Sequence, residues 1–497
     1  MTITVSARAW WNELGERDRD WALNVFWGLL IQAIVLIAHA GGFSWLDAVQ
    51  NAPFDRMMRS NAALATDDAL VQPLVFIDID DGTWRSAAWG GGEPYRAPRD
   101  RLFQLIDHAF THGARQVVLD VLIEGRNGGG GGGGSGSGSE DDEAFASRLR
   151  ELKQRPYFDS GRQLVLVRSI RRGLEPGAPD ELRRSVLDPL IAESGDRIVV
   201  AAPYFRYSPD RILRDWQLLE VACVTNPDDS PAHWAVIPAV QLVVAARHVG
   251  VSLAPAVASA SSPPASGSCA EDAINGRAGP KPTARGKGDA KSVVLANGWE
   301  RVRQSFAMAG VDLGARMPPV ESLGNRMVFR LADPPKLGLA QVISASEVLD
   351  GRAARHDLRD AIVVIGQSYA EAGDRHQTPL GEMAGALVIL NGIDSMIRHQ
   401  VIRAPSPWMT VPLSIFLIVF VGYVYARWNS TLGPLLATAA ATVVLFAGSY
   451  HLFKHGVWMD FELPLLGIQV RKTITSFAAA LPRRLRRSAP GETLQDR

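Results

Sequence analysis

Short apolar runs alternate with longer amphipathic segments through the middle of this chain. Such runs are typical of strands buried on both faces, and the segments between them have the spacing of surface helices. The alternation predicts an α/β domain with a mainly parallel sheet and helices on both faces. The predicted strands cover residues 75–80, 116–123, 163–167, 198–202 and 361–366, and the predicted helices cover 101–112, 141–152 and 180–193. Further ordered segments are predicted at 238–248, 325–331, 344–349 and 384–399.

Longer apolar stretches flank this domain and predict transmembrane helices, since a helix needs about 20 apolar residues to cross the hydrocarbon core. The predicted spans are residues 21–41, 408–426, 432–453 and 456–470. The fourth is short and contains Asp460 and Glu462, but a fourth crossing places the basic tail in the cytoplasm, as the positive-inside rule favours. A cleaved signal peptide is the alternative for the first span, because Ala38-His39-Ala40 matches a cleavage pattern.

This topology predicts a large extracytoplasmic lobe between cytoplasmic ends. Residues 1–20 and 471–497 are the cytoplasmic ends, and residues 42–406 form the lobe. Two low-complexity insertions, at 126–139 and 254–290, interrupt the lobe without ending it, because strand and helix patterns resume on both sides. The protein is therefore expected in a bacterial cytoplasmic membrane, in contact with the lipid bilayer.

Composition narrows the function only a little. The 52 basic residues balance the 52 acidic ones, so charge gives no indication of nucleic-acid binding. The chain has two cysteines, Cys223 and Cys269, and no metal-binding cysteine spacing. A disulfide between them is open, but a buried thiol at Cys223 is the favoured interpretation, because that residue sits in an apolar run.

Carboxylates follow the predicted strands and mark a candidate site. The chain places Asp78, Asp80 and Asp81 at the end of one strand, Asp120 in the next, and Asp374 after the last. Parallel strands bring their carboxyl ends to one edge of a sheet, where these oxygens are suited to Mg²⁺ or Ca²⁺. The structural alternative is that these side chains cap helices and fix turns.

A polar loop after the last strand carries Ser368, Asp374 and His376, which invites a comparison with hydrolases. However, Gly366-Gln367-Ser368 lacks the second glycine of a nucleophile elbow. A ligand-binding or purely structural loop is therefore favoured, and no catalytic residue is predicted.

Short segments with a recognisable composition occur in order along the chain: Phe54-Asp-Arg56, Ile77-Asp-Ile-Asp-Asp81, Tyr95-Arg-Ala-Pro-Arg99, Gly113-Ala-Arg115, Asp120-Val-Leu-Ile123, Val364-Ile-Gly366, Gly373-Asp374, Thr378-Pro-Leu380 and Gly385-Ala386. Taken together, these segments resemble the type 2 CHASE (CHASE2) domain, an extracytoplasmic sensory module of cyclases and histidine kinases. The candidate ligand-binding residues are Asp78, Asp80, Asp81, Arg99, Asp120, Asp374 and Thr378. The resemblance implies a sensory role, an α/β fold and adjoining membrane spans.

The first functional hypothesis is therefore a membrane-anchored sensor without enzymatic activity. Family members usually continue into an output domain, which is not expected in the basic tail, so the signal from an unknown envelope ligand would pass to a membrane or cytoplasmic signalling partner. A second hypothesis is a metal-dependent envelope hydrolase that acts through Asp78, Asp80, Asp120 and Asp374. A third is a scaffold for an envelope assembly. No cofactor is expected apart from the Mg²⁺ or Ca²⁺ of the carboxylate edge.

Overall fold

The fold is described from a computed structural model. It describes residues 15–40, 44–64, 73–92, 97–123, 137–158, 161–171, 180–182, 185–224, 233–253, 290–311, 313, 325–335, 339–399, 402, 407–427, 443 and 446–458. The chain divides into two units: Met58–Ile402 is one, and Met1–Met57 with Arg403–Arg497 is the other.

The larger unit contains the strands. They are β1 Leu74–Ile79, β2 Gln116–Asp120, β3 Gln163–Val167, β4 Ile170–Arg171, β5 Glu181–Leu182, β6 Ile198–Ala201, β7 Phe205–Tyr207, β8 Leu213–Trp216, β9 Leu219–Val224, β10 His233–Pro238, β11 Gln341–Ser344, β12 Ile362–Gln367, β13 Arg375–Thr378 and β14 Gly381–Ala384.

The helices lie in both units. They are α1 Glu16–Ala40, α2 Ser44–Leu64, α3 Asp81–Arg85, α4 Arg99–Thr111, α5 Ser137–Leu152, α6 Asp188–Ala192, α7 Val240–His248, α8 Ala290–Met308, α9 Ala345–Leu349, α10 Gly385–His399 and α11 Pro407–Arg427, with 3₁₀ turns at Pro156–Phe158, Arg352–Arg355 and Ala370–Ala372. Residues 446–454 are also helical.

A six-stranded sheet forms the centre of the larger unit, in the order β11-β1-β12-β2-β3-β6. All its neighbouring strands pair in parallel. Parallel pairing needs a crossover between strands, which explains why helices separate them along the chain. The last strand, β12, lies between the first two, β1 and β2. The predicted parallel sheet is confirmed.

Helices cover both faces of this sheet, as predicted. On one face, α4, α5, α6 and α9 bury the side chains of alternate strand residues in a large apolar core, with Ile77, Leu119 and Ile365 fully buried. On the other face, α7 packs against β3 and α10 packs against β1 and β12. Burying this apolar surface is the main favourable term for the fold, at about 25 cal/mol per Å².

Residues 203–238 differ from the prediction. The sequence pattern there indicates no strand apart from the apolar run around Cys223. The structure has two hairpin strands, β7 and β8, and it places β9 and β10 in a second sheet with the order β10-β9-β5-β4. Helix α8 packs against β9 and β10. The predicted helix at 180–193 is likewise shorter, since residues 181–182 form β5 and only Asp188–Ala192 are α-helical. Most of these strands form antiparallel pairs, although β5 and β9 pair in parallel. Strands β4, β5, β7 and β8 have only two to four residues, too few to leave an apolar run in the sequence.

The two insertions fall almost entirely outside the described residues. Helix α5 begins at Ser137 and α8 at Ala290, so the last residues of each predicted insertion are helical.

Cys223 lies buried on β9 and is disulfide-bonded. The favoured interpretation of a buried free thiol is therefore wrong, because an apolar run does not reveal whether a second cysteine reaches it. The one other cysteine in the chain, Cys269, lies outside the described residues.

The smaller unit contains two long helices that pack together, α1 and α11. Trp21 Nε1 donates to the Val419 carbonyl at 3.3 Å, and Asn24 Nδ2 donates to the Gly422 carbonyl at 3.4 Å. These bonds satisfy two polar side chains where the two helices pack together.

The predicted spans 21–41 and 408–426 are thus helical over most of their length, but their membrane crossing is not confirmed. Within the described ranges, no helix combines the length and the apolar character that crossing a membrane requires. Most of the predicted span 432–453 and of the span 456–470 lies outside those ranges.

Candidate functional site

Four residues lie side by side at the carboxyl edge of the central sheet. In the parallel register, Ser344 pairs with Asp78, Asp78 with Gly366, and Gly366 with Asp120, across β11, β1, β12 and β2. Residues in register on parallel strands direct their side chains to the same face. Asp78 and Asp120 therefore flank a glycine on the face that α7 and α10 cover.

Gly366 allows the first turn of α10 to lie directly on the sheet. A Cβ atom at this position would overlap the Cβ atom of Ala386, the second residue of α10, and would lie 3.4 Å from Asp120 Cβ. No residue other than glycine leaves room for this approach. The glycine therefore brings the amino terminus of a 15-residue helix beside the Asp120 side chain.

Asp374 also lies against the start of α10. A Cβ atom on Gly385, the first residue of α10, would overlap the Asp374 carboxylate, and the Gly385 N–H donates to the Asp374 carbonyl oxygen at 2.9 Å. A carboxylate at a helix amino terminus is stabilised by the unpaired N–H groups and the helix dipole. The sequence separates Asp120 from Asp374 by more than 250 residues, and the fold brings both to the start of α10.

A cleft of about 1130 Å³ opens beside these two carboxylates. It lies at the carboxyl ends of β2, β3 and β12, where open parallel sheets commonly bind ligands. Its polar and aromatic lining consists of Trp84, Arg99, Asp120, Ser169, Gln367, Tyr369, Glu371 and Asp374. The volume is sufficient for a small-molecule ligand.

Asp120 is held in its protonated form at neutral pH. Its burial, reinforced by the nearby charge of Asp374, raises the pKa of the Asp120 carboxyl from 3.8 to about 8. A protonated carboxyl donates one hydrogen bond and accepts others, whereas a carboxylate only accepts. At neutral pH the cleft therefore offers a donor at Asp120 and an acceptor at Asp374.

His376 links Asp374 to the β7–β8 hairpin. Its Nε2 lies 2.9 Å from Asp374 Oδ1, and its Nδ1 hydrogen-bonds to the Tyr207 hydroxyl. Since both ring nitrogens of His376 are engaged in this way, the imidazole is not paired with Ser368. The loop therefore does not contain the serine–histidine pair that a hydrolase of this kind would use.

Asp78 belongs to the row but not to the lining of the cleft. Burial raises the pKa of the Asp78 carboxyl to about 6, although a hydrogen bond from Ser368 opposes this shift. Its Oδ1 atom is buried, and no described residue donates a hydrogen bond to it. Asp78 therefore contributes a partly desolvated carboxyl behind the cleft.

The other predicted residues have structural roles. Asp80 caps α3, because its Oδ1 accepts from the Thr83 backbone N–H at 2.6 Å and from the Thr83 hydroxyl at 2.7 Å. Asp81 lies 3.9 Å from Arg85 in an exposed ion pair. Thr378 closes the β13–β14 turn by donating to the Gly381 carbonyl oxygen at 2.6 Å. Asp80 therefore has the capping role that the structural alternative describes, while Asp81 forms an ion pair and Thr378 fixes a turn.

Arg99 lines the cleft and makes a buried ion pair. Its Nε donates to Asp142 Oδ1 at 2.6 Å, and both side chains are less than a tenth exposed. This pair joins the starts of α4 and α5. Removing one partner would leave the other charge buried and unpaired, which typically costs about 3–5 kcal/mol.

Sequence reasoning missed an aromatic pair at the mouth of the cleft. The Trp84 and Tyr369 rings stack with centroids 5.1 Å apart and planes within 4° of parallel. Trp84 follows β1 and Tyr369 follows β12, so each comes just after a strand that ends at the site. That position along the chain is the signal by which the sequence could have indicated this pair.

The described residues contain no cluster of three or more histidine, cysteine or acidic side chains that could hold a metal ion. The predicted Mg²⁺ or Ca²⁺ site is therefore not confirmed. Asp80 and Asp81 are directed to α3 and Arg85, which explains why the acidic residues do not converge on one point.

Comparison with known proteins identifies the family. A family model described as the CHASE2 domain matches residues 29–426. The match covers most of the 497 residues, so the chain belongs to the CHASE2 domain family. CHASE2 is an extracytoplasmic sensory domain and not a catalytic one. No curated protein and no solved structure matches the chain.

The raised pKa of Asp120 predicts a pH-dependent stability. In the unfolded chain this carboxyl ionises near pH 3.8, but in the fold it keeps its proton up to about pH 8. The fold therefore binds more protons than the unfolded chain between these values, and its free energy of unfolding falls as pH rises through that window. Thermal unfolding of the full-length protein in detergent is expected to show a melting temperature that decreases from about pH 5 to about pH 8.

Asp120→Asn is expected to weaken this dependence, most of all between about pH 6 and about pH 8, because the amide resembles the protonated carboxyl at every pH. Below about pH 6 the raised pKa of Asp78 still contributes. Asp141→Asn, a change at an exposed position of α5, is the matched control and should keep the wild-type slope. An Asp120→Asn protein with an unchanged slope would show that Asp120 is ionised in the fold.

Proposed function

We propose that this protein is a membrane-anchored extracytoplasmic sensor that binds an envelope ligand in the cleft and passes the signal to a separate partner. The observation that carries the proposal is the position of Asp374. This residue lines the cleft and also touches the first residue of α10. A ligand that contacts Asp374 therefore acts directly on a helix.

The lining of the cleft indicates the chemistry of the ligand. Asp374 accepts hydrogen bonds, Asp120 donates one at neutral pH, and Gln367 and Ser169 offer further polar groups. The stacked Trp84 and Tyr369 rings add a flat apolar surface. A small polar molecule with an apolar face, such as a sugar or an amine, suits this combination.

Helix α10 provides a route for the signal. It begins at Gly385 beside the cleft and ends at His399, and the next helix, α11, begins at Pro407. Its buried polar residues hold a neighbouring segment: Asn391 Oδ1 accepts from the Arg330 and Leu331 N–H groups at 2.9 and 2.8 Å, and Ser395 Oγ accepts from the Val328 N–H at 2.9 Å. A change at the start of α10 is thus transmitted to residues 328–331.

A ligand can shift this arrangement only if it binds one conformation of α10 more tightly than another. In the proposed mechanism, ligand contact at Asp374 changes how firmly the first turn of α10 is held on Gly366. The predicted membrane helix 408–426 follows directly along the chain. The signalling partner then reads the arrangement of the membrane helices.

The disulfide of Cys223 supports the extracytoplasmic location, since disulfides persist in oxidising compartments and are rare in the cytosol. Because the chain has only one other cysteine, this location predicts a Cys223–Cys269 bond in protein purified without reductant. The family assignment gives independent support, because CHASE2 domains are extracytoplasmic.

Cysteine labelling in intact cells tests the location. In a Cys223→Ser, Cys269→Ser background, Gln377→Cys introduces a thiol at an exposed position of β13. A membrane-impermeant maleimide is expected to label it without permeabilisation. Ser6→Cys, in the predicted cytoplasmic N-terminus, is the control and should react only after the membrane is opened.

Labelling of Ser6→Cys in intact cells together with protection of Gln377→Cys would reverse the topology and contradict the proposal. If the protein with both serine substitutions does not accumulate, Gln377→Cys and Ser6→Cys are each made in the wild-type chain, in which Cys223 is disulfide-bonded. Metal-dependent hydrolysis by the purified protein that is lost in Asp120→Asn would favour the enzyme hypothesis instead.

Hydrogen–deuterium exchange tests the link from the cleft to α10. Asp374→Asn removes the negative charge beside the helix amino terminus, a contact worth about 0.3–1 kcal/mol. Amides in the first turn of α10 are expected to exchange about two- to fivefold faster in this variant, as that energy implies.

Asp81→Asn is the matched control, because it removes a carboxylate from the first turn of a different helix, α3. It should leave α10 unchanged. Equal exchange of α10 in wild type and Asp374→Asn would break the proposed connection between the cleft and the helix.

A further inference from the structure

A second pocket lies at the opposite, amino edge of the central sheet. It has a volume of about 390 Å³ and is lined by Arg115, Gly161, Arg162, Arg247, Gly250 and Asp360. Arg115 and Arg162 directly precede β2 and β3. Asp120 ends β2, so the length of that strand, roughly 3.3 Å per residue, separates this pocket from the cleft.

Three of the six lining residues are arginines, and only one is acidic. The lining therefore carries a net formal charge of +2 (three arginines less Asp360). In the part of the chain that the structure describes, none of the three arginines forms an ion pair with a carboxylate. This contrasts with Arg99, Arg168 and Arg214, which all pair with aspartates.

Backbone carbonyl groups fix two of these guanidinium groups in place. Arg247 donates from Nε and Nη2 to the Gly161 carbonyl oxygen, at 2.9 and 2.5 Å. Arg162 donates from Nη1 to the Phe110 carbonyl oxygen at 2.6 Å. A carbonyl group orients a guanidinium without neutralising it, and each guanidinium has five N–H donors, so most of them stay available to a ligand.

Gly161 is required for this arrangement. Its backbone has a φ of +80°, and a Cβ atom there would lie 3.3 Å from Arg247 Nη2. A side chain would therefore be strained in the backbone and would press on the guanidinium. The conformation of this turn places the carbonyl group that holds Arg247.

Arg115 completes the pocket without such a restraint. Its backbone N–H donates to the Ala361 carbonyl oxygen at 2.9 Å, and its carbonyl oxygen accepts from the Gln163 N–H at 3.1 Å. Its side chain lies close enough to His248 to help lower the pKa of that imidazole, after the larger effect of burial. The positive charge of the pocket therefore comes from its three arginines.

We propose that this pocket is a binding site for a phosphate-class anion, formed by Arg115, Arg162 and Arg247. The planar guanidinium fork matches the geometry of a tetrahedral oxyanion and binds it with charge-assisted hydrogen bonds. The group that carries the phosphate is either a free phosphate compound or a phospholipid headgroup. This site is separate from the cleft and does not depend on the proposed sensory function.

Calorimetric titration of the full-length protein in a non-ionic detergent tests the proposal. The probes are inorganic pyrophosphate, as a free anion, and a short-chain soluble phosphatidic acid, as a headgroup. Saturable binding of at least one is expected, and Arg115→Gln should weaken it by about tenfold, the effect of losing one charge-assisted hydrogen-bonding group. Pyrophosphate binding identifies a free phosphate compound, and binding of phosphatidic acid alone identifies a lipid headgroup.

Arg162→Lys is the second variant, because it keeps the charge and removes the fork; it should also weaken binding. Arg359→Gln is the matched control: this arginine is exposed, belongs to an ion pair with Asp357 and does not line the pocket. Binding that survives Arg115→Gln, binding that Arg359→Gln weakens equally, or no binding of either probe would overturn the proposal. Unchanged melting temperatures confirm that the variants are folded.

Discussion

The close packing of one helix on one glycine determines the arrangement of the candidate site. Helix α10 lies against the central sheet because Gly366 has no side chain, and a Cβ atom there would overlap Ala386. The same approach sets the start of α10 beside Asp120 and Asp374. Without it, the helix would be displaced outward, Asp120 would be more exposed to water, and its carboxyl would lose part of the burial that raises its pKa. Packing, electrostatics and the proposed signal route thus share one contact.

The two edges of the sheet have opposite chemistry. The carboxyl edge collects Asp78, Asp120 and Asp374 next to a helix amino terminus, which favours negative charge. The amino edge collects Arg115, Arg162 and Arg247 near helix carboxyl ends, where carbonyl groups accept hydrogen bonds from arginine. The two pockets therefore differ in chemistry: the cleft offers the carboxyl groups of Asp120 and Asp374 beside a helix, and the pocket at the amino edge offers three arginines.

The central sheet and part of the site could be predicted from the sequence, because buried parallel strands leave long apolar runs and the residues that follow them meet at one edge. Asp120 and Asp374 were identified in this way. The roles of Asp80 and Thr378 could not be separated from ligand binding, since the same residue types after a strand also cap helices and close turns.

The partner of Arg99 depends on how α4 packs on α5, and Asp142 lies 43 residues away. The position of β12 between β1 and β2 likewise follows from long-range packing that local periodicity does not record.

The thermal stability of Gly366→Ala tests the central contact most directly. The added methyl group must push α10 from the sheet, so the free energy of unfolding is expected to fall by about 1–3 kcal/mol, as in other overpacked cores. Gly82→Ala is the control, because a Cβ atom there meets only Asp80, at an ordinary 3.5 Å. A Gly366→Ala protein as stable as the Gly82→Ala protein would contradict the account, since α10 would then have room above Gly366.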